Sequence, residues 1–485
     1  CLVAGDPAGA LTALDSGRGL ALYAATETRD IADRLVLAGA EGLAARWRAA
    51  LPGGDPGPDL RREVLDTLLA HAPSAGLLDP PGHAEIQQAL KDIDADALVY
   101  LVAGAGSIPG NAVIAAADGP PSYLALPYLV LDGEVGVERY LATAAPRDAA
   151  MAPGADTGVE LADSLETLCG WAWHAAMGPL IETFLRRLPR PAHRPYRLVL
   201  VPMGDLARIP WQAARRPDGR YAVELAAISQ AASARMLCRS AALPEVAPTP
   251  TGLVVGDPDT TDPETGRHEV DLVAARLEAY AIRQAFYPGA RFVGRGPDGA
   301  SRTSGAGTAA EVREWLTAAG PVRGSMLHLA CHGYVRTEGD RPGAHLALAG
   351  GERLTAEELV AVMGAAPERA VGLVVLAACR TGLSMNGYDE AYSLGTAFLA
   401  GGARSVLSTQ WSIPDRATSV LMFMFHHYLR SERRPAWAAL RQAQLWMLEP
   451  DRAIPDGMPA TLRAGLSTTG LRDVVAWAGF IHWGQ

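Results

Sequence analysis

Residues 371–379 read Val-Gly-Leu-Val-Val-Leu-Ala-Ala-Cys, and residues 325–332 read Ser-Met-Leu-His-Leu-Ala-Cys-His. Both runs are nearly continuous in apolar residues, which is typical of strands buried on both faces of a parallel sheet. Each run ends in a side chain that can do chemistry, Cys379 in one and His332 in the other. In open α/β sheets, ligands bind beyond the carboxyl ends of the strands. These two strand ends therefore indicate both the fold class and the place to look for function.

The segments around these two runs continue the same pattern. Capping boxes at Thr308 and Thr355, each with Glu three residues later, predict two helix starts. The other expected strands are 97–103, 111–117, 124–131, 196–202, 252–256, 404–410 and 478–483, and the other expected helices are 83–93, 158–188, 269–286, 390–399, 416–429 and 437–447. Strands that alternate with amphipathic helices predict an α/β fold, a mainly parallel sheet flanked by helices on both faces.

The chain is long enough for more than one domain, since its 485 residues exceed the usual domain length. A Pro-rich stretch at 244–251 predicts a linker, and residues 1–50 carry apolar residues at helical spacing. We therefore expect a short helical segment at 1–75, an N-terminal α/β half at 76–243 and a C-terminal α/β half at 244–485.

Composition argues against several classes of function. The formal net charge is −10, from 53 acidic and 43 basic residues, so nucleic acid is not expected as a direct partner. No apolar run is long enough to predict a membrane span. The five cysteines are odd in number and widely spaced, which predicts no disulfide framework and favours a reducing cytoplasm. Residues 294–299 match the dinucleotide-binding pattern G-x-G-x-x-G literally, but Pro297 lies inside the match and the next helix is expected only near Thr308. Neither a metal nor a cofactor is therefore expected.

Cys379 and His332 together predict a cysteine protease. Such an enzyme needs a thiol that can ionise, an imidazole to accept its proton and N–H donors for the oxyanion. We expect Cys379 to be the nucleophile and His332 the general base, with the backbone N–H groups of Gly333 and Cys379 forming the oxyanion hole. The histidine precedes the cysteine by 47 residues, close to the ~50 of caspases, and Ala378-Cys379-Arg380 keeps the core of their Q-A-C-[RQG]-G pattern.

The wider sequence resembles the CHAT domains, a family of bacterial caspase-like proteases usually attached to tetratricopeptide repeats. The resemblance covers residues 80–485, and Cys331 and Gln410 stand where the family commonly has Thr and Leu. It is carried by Leu-Val-Leu-Val-Pro at 198–202, Leu-His-Leu-Ala-Cys-His-Gly at 327–333, Val-Val-Leu-Ala-Ala-Cys-Arg-Thr-Gly at 374–382, the segments 397–406 and 411–418, and Trp-Ala-Gly-Phe-Ile-His-Trp-Gly at 477–484.

This resemblance implies a caspase-like fold made of two caspase-like halves. Residues 76–243 would be a degenerate half without the dyad, 244–485 the catalytic half, and 1–75 the remnant of an upstream repeat region in a longer parent chain. It also implies a cytoplasmic endopeptidase that cleaves a protein substrate in a bacterial antiphage defence or regulated-death pathway. An upstream repeat domain or an activator protein is the implied partner.

Three acidic residues are candidates for the substrate pocket. Asp415 resembles the acid that selects a basic residue before the cleaved bond in related proteases, although it is also well placed as a helix N-cap. Asp389 and Glu390 follow Cys379 in a stretch expected to flank the cleft, where they could equally belong to a solvated loop.

Other interpretations of the same residues stay open. Cys379 could be a core cysteine, because free cysteines are among the most buried residues. His328 shares strand parity with His332 and could be the base, whereas Cys331 should point to the opposite face. The chain could also be a catalytically silent scaffold or interaction module, since fold alone does not fix function. A further possibility is a protease held inactive until a partner repositions its cleft.

Overall fold

The computed structural model describes most of the chain. The described residues are 1–16, 18, 35–36, 39–50, 60, 63–64, 67, 80–144, 157–318, 324–336, 343–366, 369–378, 381, 393–411, 413, 415–467 and 470–485. Within this described part, no helix combines the length and the apolar character needed to cross a bilayer.

The described strands and helices alternate along most of the chain. The strands are β1 (Ala97–Val102), β2 (Gly110–Ala116), β3 (Ser122–Leu126), β4 (Tyr196–Pro202), β5 (Ala226–Gln230), β6 (Gly252–Gly256), β7 (Arg291–Gly294), β8 (Met326–Ala330), β9 (His332–Arg336), β10 (Gly343–Ala347), β11 (Arg353–Thr355), β12 (Val371–Leu376), β13 (Ala403–Thr409) and β14 (Phe480–Gly484). The α-helices are α1 (Pro7–Ser16), α2 (Glu41–Ala50), α3 (His83–Asp92), α4 (Val135–Ala144), α5 (Thr157–Ala172), α6 (Ala222–Leu225), α7 (Ala234–Ala242), α8 (Val273–Phe286), α9 (Ala309–Thr317), α10 (Ala356–Gly364), α11 (Leu394–Ala400), α12 (Asp415–Arg430), α13 (Ala436–Leu448), α14 (Ala460–Arg463) and α15 (Val474–Trp477).

Eleven of the described strands form one sheet in the order β3-β2-β1-β4-β5-β14-β13-β12-β8-β6-β7. The pairs are parallel except β3–β2, β2–β1 and β14–β13. Because β14 is parallel to β5 but antiparallel to β13, the parallel strands on its two sides run in opposite directions. This mainly parallel sheet between helices confirms the expected α/β fold class.

The packing of strand β8 explains why polar and apolar residues do not alternate along its sequence. Leu327 and Leu329 pack in an apolar cluster that includes residues of α10 and α11, on one face of the sheet. Met326 and Ala330 pack in a second cluster that includes residues of α8 and α12, on the other face. All five residues of the strand are buried, so both faces contribute hydrophobic stabilisation.

Several boundaries differ from the expected ones for identifiable reasons. The strand expected at 124–131 is Ser122–Leu126, because Pro127 has no N–H to continue the ladder. The helix expected at 269–286 begins only at Val273, because the preceding residues are held in a loop by a hydrogen bond from the Leu272 amide to Asp257. The capping boxes at Thr308 and Thr355 are confirmed, with each hydroxyl accepting from the third helical amide at 3.2 Å.

Helix α1 is attached to the large sheet through a buried aspartate. Asp15 is 1% exposed. Its carboxylate accepts from the Tyr100 hydroxyl on β1 at 2.5 Å and from the Ala234 amide at the start of α7 at 2.7 Å. Burial raises the pKa of Asp15 despite these donors. The beginning of the chain is therefore anchored to the N-terminal strands.

Candidate functional site

Strands β8 and β12 are direct parallel neighbours, so they end at the same edge of the sheet. Leu329 lies opposite Leu376 in their register. His332 follows Leu329 by three residues, and Cys379 follows Leu376 by three. The predicted adjacency of the two strands is confirmed, whereas Cys379 itself lies outside the described residues.

The described residues on either side of positions 379–380 are fixed by hydrogen bonds. Ala378 and Thr381 are both buried. The hydroxyl of Thr409, at the end of β13, donates to the Ala378 carbonyl at 2.5 Å, and the Thr409 amide donates to Thr381 Oγ1 at 3.2 Å. The segment after β12 is therefore tied to β13 both before and after the cysteine position.

His332 begins β9, in a separate sheet with the strand order β11-β10-β9. Its Nε2 lies 2.8 Å from the backbone carbonyl oxygen of Val270. A carbonyl can only accept, so Nε2 carries the hydrogen and Nδ1 keeps its lone pair in the neutral ring. No described residue hydrogen-bonds Nδ1. This tautomer leaves one ring nitrogen able to accept a proton.

Two further aromatic rings continue from His332 along one face of this small sheet. The imidazole stacks on Tyr334 with centroids 6.1 Å apart and planes 19° apart, and Tyr334 stacks on His345 of β10 at 5.3 Å and 26°. These contacts fix the plane of the imidazole. Gly333, the expected oxyanion donor, lies opposite Leu346 in the β9–β10 register.

The two rival side chains of β8 and its end lie in the core. His328 is fully buried, and its Nε2 lies 3.0 Å from Glu278 Oε1 on α8. Its Nδ1 lies 3.4 Å from Nε2 of His426 on α12, and burial holds the pKa of His426 well below its usual value. Cys331 is 1% exposed and packs with the cluster on the opposite face of β8. Both side chains are buried, and they lie on opposite faces of the sheet.

The expected pocket acids are only partly located. Asp389 and Glu390 lie outside the described residues. Asp415 is the first residue of α12, at the end of the segment that follows β13, and its side chain is not described. Among the described residues, no three His, Cys, Asp or Glu side chains are grouped closely enough to hold a metal ion.

Val270 is the contact that the sequence did not reveal. It lies in the loop before α8, and its side chain is 59% exposed. Its role comes from its backbone carbonyl, which every residue possesses, so no residue type marks the position. Only the fold brings this carbonyl to His332.

Comparison with known proteins gives one family match and several structural matches. Residues 166–485 match the model of the CHAT domain. The separase–securin complex of Saccharomyces cerevisiae at 3.0 Å aligns with a TM-score of 0.50 and 10% identity, over 87% of this chain and 31% of that chain. The complex of Porphyromonas gingivalis RgpB pro- and mature domains aligns with a TM-score of 0.36 and 9% identity, over 64% of this chain and 69% of that one. No curated protein matches the chain.

These matches concern the fold. The chain spans about a third of the length of the separase-complex chain that it matches, and the identity is low. The family match and the topology of the sheet agree on a caspase-like α/β fold. A shared fold does not determine the chemistry of the site, which depends on the residues that form it.

Proposed function

The chain belongs to the CHAT domain family, and from this premise we propose that it is a cysteine endopeptidase, with Cys379 as nucleophile and His332 as general base. The observation that carries this proposal is the hydrogen bond from His332 Nε2 to the Val270 carbonyl. It favours the tautomer whose Nδ1 lone pair can take the thiol proton. The register of β8 and β12 supports the same pairing, because Leu329 lies opposite Leu376. His332 and Cys379 each follow one of these leucines by three residues.

The proposed reaction has two steps. His332 Nδ1 takes the proton of the Cys379 thiol, and the thiolate attacks the carbonyl carbon of the scissile peptide bond. The oxyanion accepts hydrogen bonds from the amides of Gly333 and Cys379, and the imidazolium then gives its proton to the leaving amine. In the second step, water loses a proton to His332 and attacks the thioester, releasing the carboxylic acid product and the free thiol.

The substrate and setting follow from the family. We propose a protein substrate, cleaved in the cytoplasm of a bacterium in a defence or regulated-death pathway, and an upstream repeat domain or activator protein as partner. Residues 76–243 are proposed to be a caspase-like half without a dyad, packed against the catalytic half at 244–485. On one side of β14, the strands β1, β4 and β5 are parallel to one another, as are the strands from β13 onward on its other side. This repeated arrangement supports the division into two halves.

Two single substitutions test the dyad. The chain is incubated with a mixed peptide library, and cleavage products are identified by mass spectrometry, with and without a candidate repeat protein. C379A and H332A should both remove cleavage while the thermal melting temperature stays close to that of the wild type. C331A is the matched control, because Cys331 is buried in the apolar cluster on one face of β8. This variant should still cleave the peptides. Cleavage by C379A would disprove the nucleophile, and no cleavage under any condition would favour a silent scaffold.

A further inference from the structure

Four charged side chains form a closed ring of ion pairs in which each arginine contacts both aspartates. The members of this ion-pair ring are Asp257, Asp271, Arg276 and Arg295. Arg295 lies 2.8 Å from Asp257 and 2.6 Å from Asp271. Arg276 lies 3.2 Å from each aspartate, and its contact with Asp257 is an ion pair without hydrogen-bond alignment.

Most of this ring is removed from water. The exposed fraction of the side chain is 2% for Asp257, 7% for Arg276 and 12% for Arg295, and only Asp271 is half exposed. Charges buried in this way recover little net stability, because the desolvation penalty offsets most of their attraction. Their main physical effect is to fix geometry, since bidentate arginines hold two carboxylates in one arrangement.

The backbone around Asp257 joins the two chain segments that meet at His332. Asp257 follows β6 with a left-handed φ of 41°. Its amide donates to the carbonyl of Ala330, two residues before His332, at 2.8 Å. Its Oδ1 accepts from the amide of Leu272, two residues after Val270, at 3.0 Å. The same aspartate therefore contacts both the histidine segment and the segment that provides its carbonyl partner.

Val270 has little packing of its own to fix it. Its side chain is 59% exposed, so its carbonyl must be located by its neighbours. Asp271 is held by both arginines, and Leu272 is held by Asp257. On the other side, the amide of Glu269 donates to Thr260 Oγ1 at 3.0 Å. The anchors nearest to Val270 on its C-terminal side thus belong to the ion-pair ring.

We propose that the ion-pair ring positions the catalytic base: it holds the Val270 carbonyl against Nε2 of His332, and Asp271 and Arg295 are positioning residues for the reaction. This inference rests on the proposed function of His332 as general base. A carbonyl opposite Nε2–H stabilises the imidazolium that forms when the thiol proton is transferred, and it selects the tautomer with a free Nδ1. Loosening Asp271 removes this selection without touching either member of the dyad.

The test compares D271N with the wild type and with the control D262N. The substitution D271N keeps the size of a half-exposed side chain and removes the charge that both arginines bind. Asp262 is in the same loop but caps a turn through the amides of Glu264 and Thr265, outside the ring. Two quantities are measured at pH 7: the rate at which iodoacetamide alkylates Cys379, followed by mass spectrometry, and the His332 tautomer, from ¹⁵N NMR of histidine-labelled protein.

In the wild type and in D262N, we expect one dominant Nε2–H tautomer of His332 and rapid alkylation of Cys379. In D271N, we expect a mixture of tautomers and a rate lower by about tenfold, the size of one weakened hydrogen bond to a charged group. R295K keeps the positive charge but cannot bridge two carboxylates, so its alkylation rate and tautomer mixture should lie between those of the wild type and D271N. R295K replaces D271N in the test if D271N does not fold.

The outcomes separate this proposal from the proposed function. Wild-type Cys379 that reacts no faster than an ordinary exposed cysteine contradicts the dyad. In that case the NMR comparison still tests the ring, because the tautomer is read without catalysis. Tautomer and rate unchanged in both D271N and R295K would overturn the positioning role.

Discussion

The hydroxyl of Thr409 donates to the carbonyl of Ala378 at 2.5 Å, joining the end of β13 to the residue just before Cys379. Both residues are buried. A buried hydrogen bond of this kind holds the end of β12 in place, and its loss leaves a buried carbonyl without this donor. The residue just before the proposed nucleophile is therefore held by a side chain from the neighbouring strand.

T409V should impair both stability and activity. Valine keeps the shape of threonine but removes the hydroxyl, so we expect a loss of about 1–3 kcal/mol in the free energy of unfolding. Cys379 alkylation should slow as well, because the segment that carries it is less well fixed. Urea unfolding and the alkylation rate measure the two effects. S408A is the control, because it removes the neighbouring hydroxyl, which accepts from Trp483 Nε1 at 2.8 Å. The free energy of unfolding should fall in S408A, while the alkylation rate of Cys379 should stay unchanged. A T409V rate equal to that of S408A would contradict the argument.

Two buried histidines should make the fold sensitive to acid. Burial holds the pKa of His426 and that of His482 well below the usual histidine value. The folded protein keeps both rings neutral, while the unfolded chain takes up protons below a pH of about 6.5. Stability that is present above that pH is therefore lost as the pH falls. Each histidine adds up to about 1.4 kcal/mol per pH unit to this slope.

H426Q tests this slope directly. Glutamine retains a donor and an acceptor near Tyr287, whose hydroxyl lies 3.0 Å from His426 Nδ1, but it does not ionise. The free energy of unfolding, measured in urea from pH 7.5 to 5, should depend less steeply on pH than in the wild type. H482Q should flatten the same curve by a similar amount. Curves parallel to that of the wild type would show that neither ring stays neutral on folding.

Asp415 gives a prediction about substrate choice. It begins α12, and the sequence left open whether its carboxylate selects a basic substrate residue or caps the helix. If it lines the cleft together with Asp389 or Glu390, the peptide library should be cut after Arg or Lys. D415N should then lower kcat/KM by about 10²-fold or more, since it leaves a cationic side chain without its partner. A lower melting temperature with an unchanged cleavage profile would show that the charge of Asp415 serves only to stabilise the first turn of α12.

Sequence reasoning succeeded where one physical signal dominated. Strands β8 and β12 lie in the interior of the sheet, and their nearly continuous apolar runs predicted them within two residues at each end. The helix starts at Thr308 and Thr355 were predictable because a capping box is local chemistry. The adjacency of the histidine and cysteine strands also followed from the sequence, since chemistry in a parallel sheet gathers at the carboxyl ends.

The features that were missed depend on contacts between distant segments. Strand β7 has only four residues, and β5 reads Ala-Ala-Ile-Ser-Gln, so neither gives a clear pattern. The small sheet that carries His332 is made of short strands of mixed polarity. The ion-pair ring joins Asp257 to Arg295, 38 residues away. Charged residues are usually exposed, so the sequence did not indicate that these side chains are buried. Burial of charge can be seen only once the fold has brought the partners together.

The anchoring of α1 by Asp15 gives the last prediction. The carboxylate is 1% exposed and accepts from the Tyr100 hydroxyl and from the amides of Ala234 and Arg235, so D15A removes one acceptor from three buried donors. We expect the free energy of unfolding to fall by about 2–4 kcal/mol, because each buried donor left unpaired costs about 1–3 kcal/mol and partial relaxation reduces the sum. Proteolysis near α1 should also become faster. S16A is the control, because Ser16 is exposed and its hydroxyl donates to the Thr12 carbonyl within the same helix. Limited proteolysis followed by mass spectrometry measures the difference. Equal cleavage of D15A and S16A would mean that α1 docks on the sheet by its apolar residues alone, without help from the buried carboxylate.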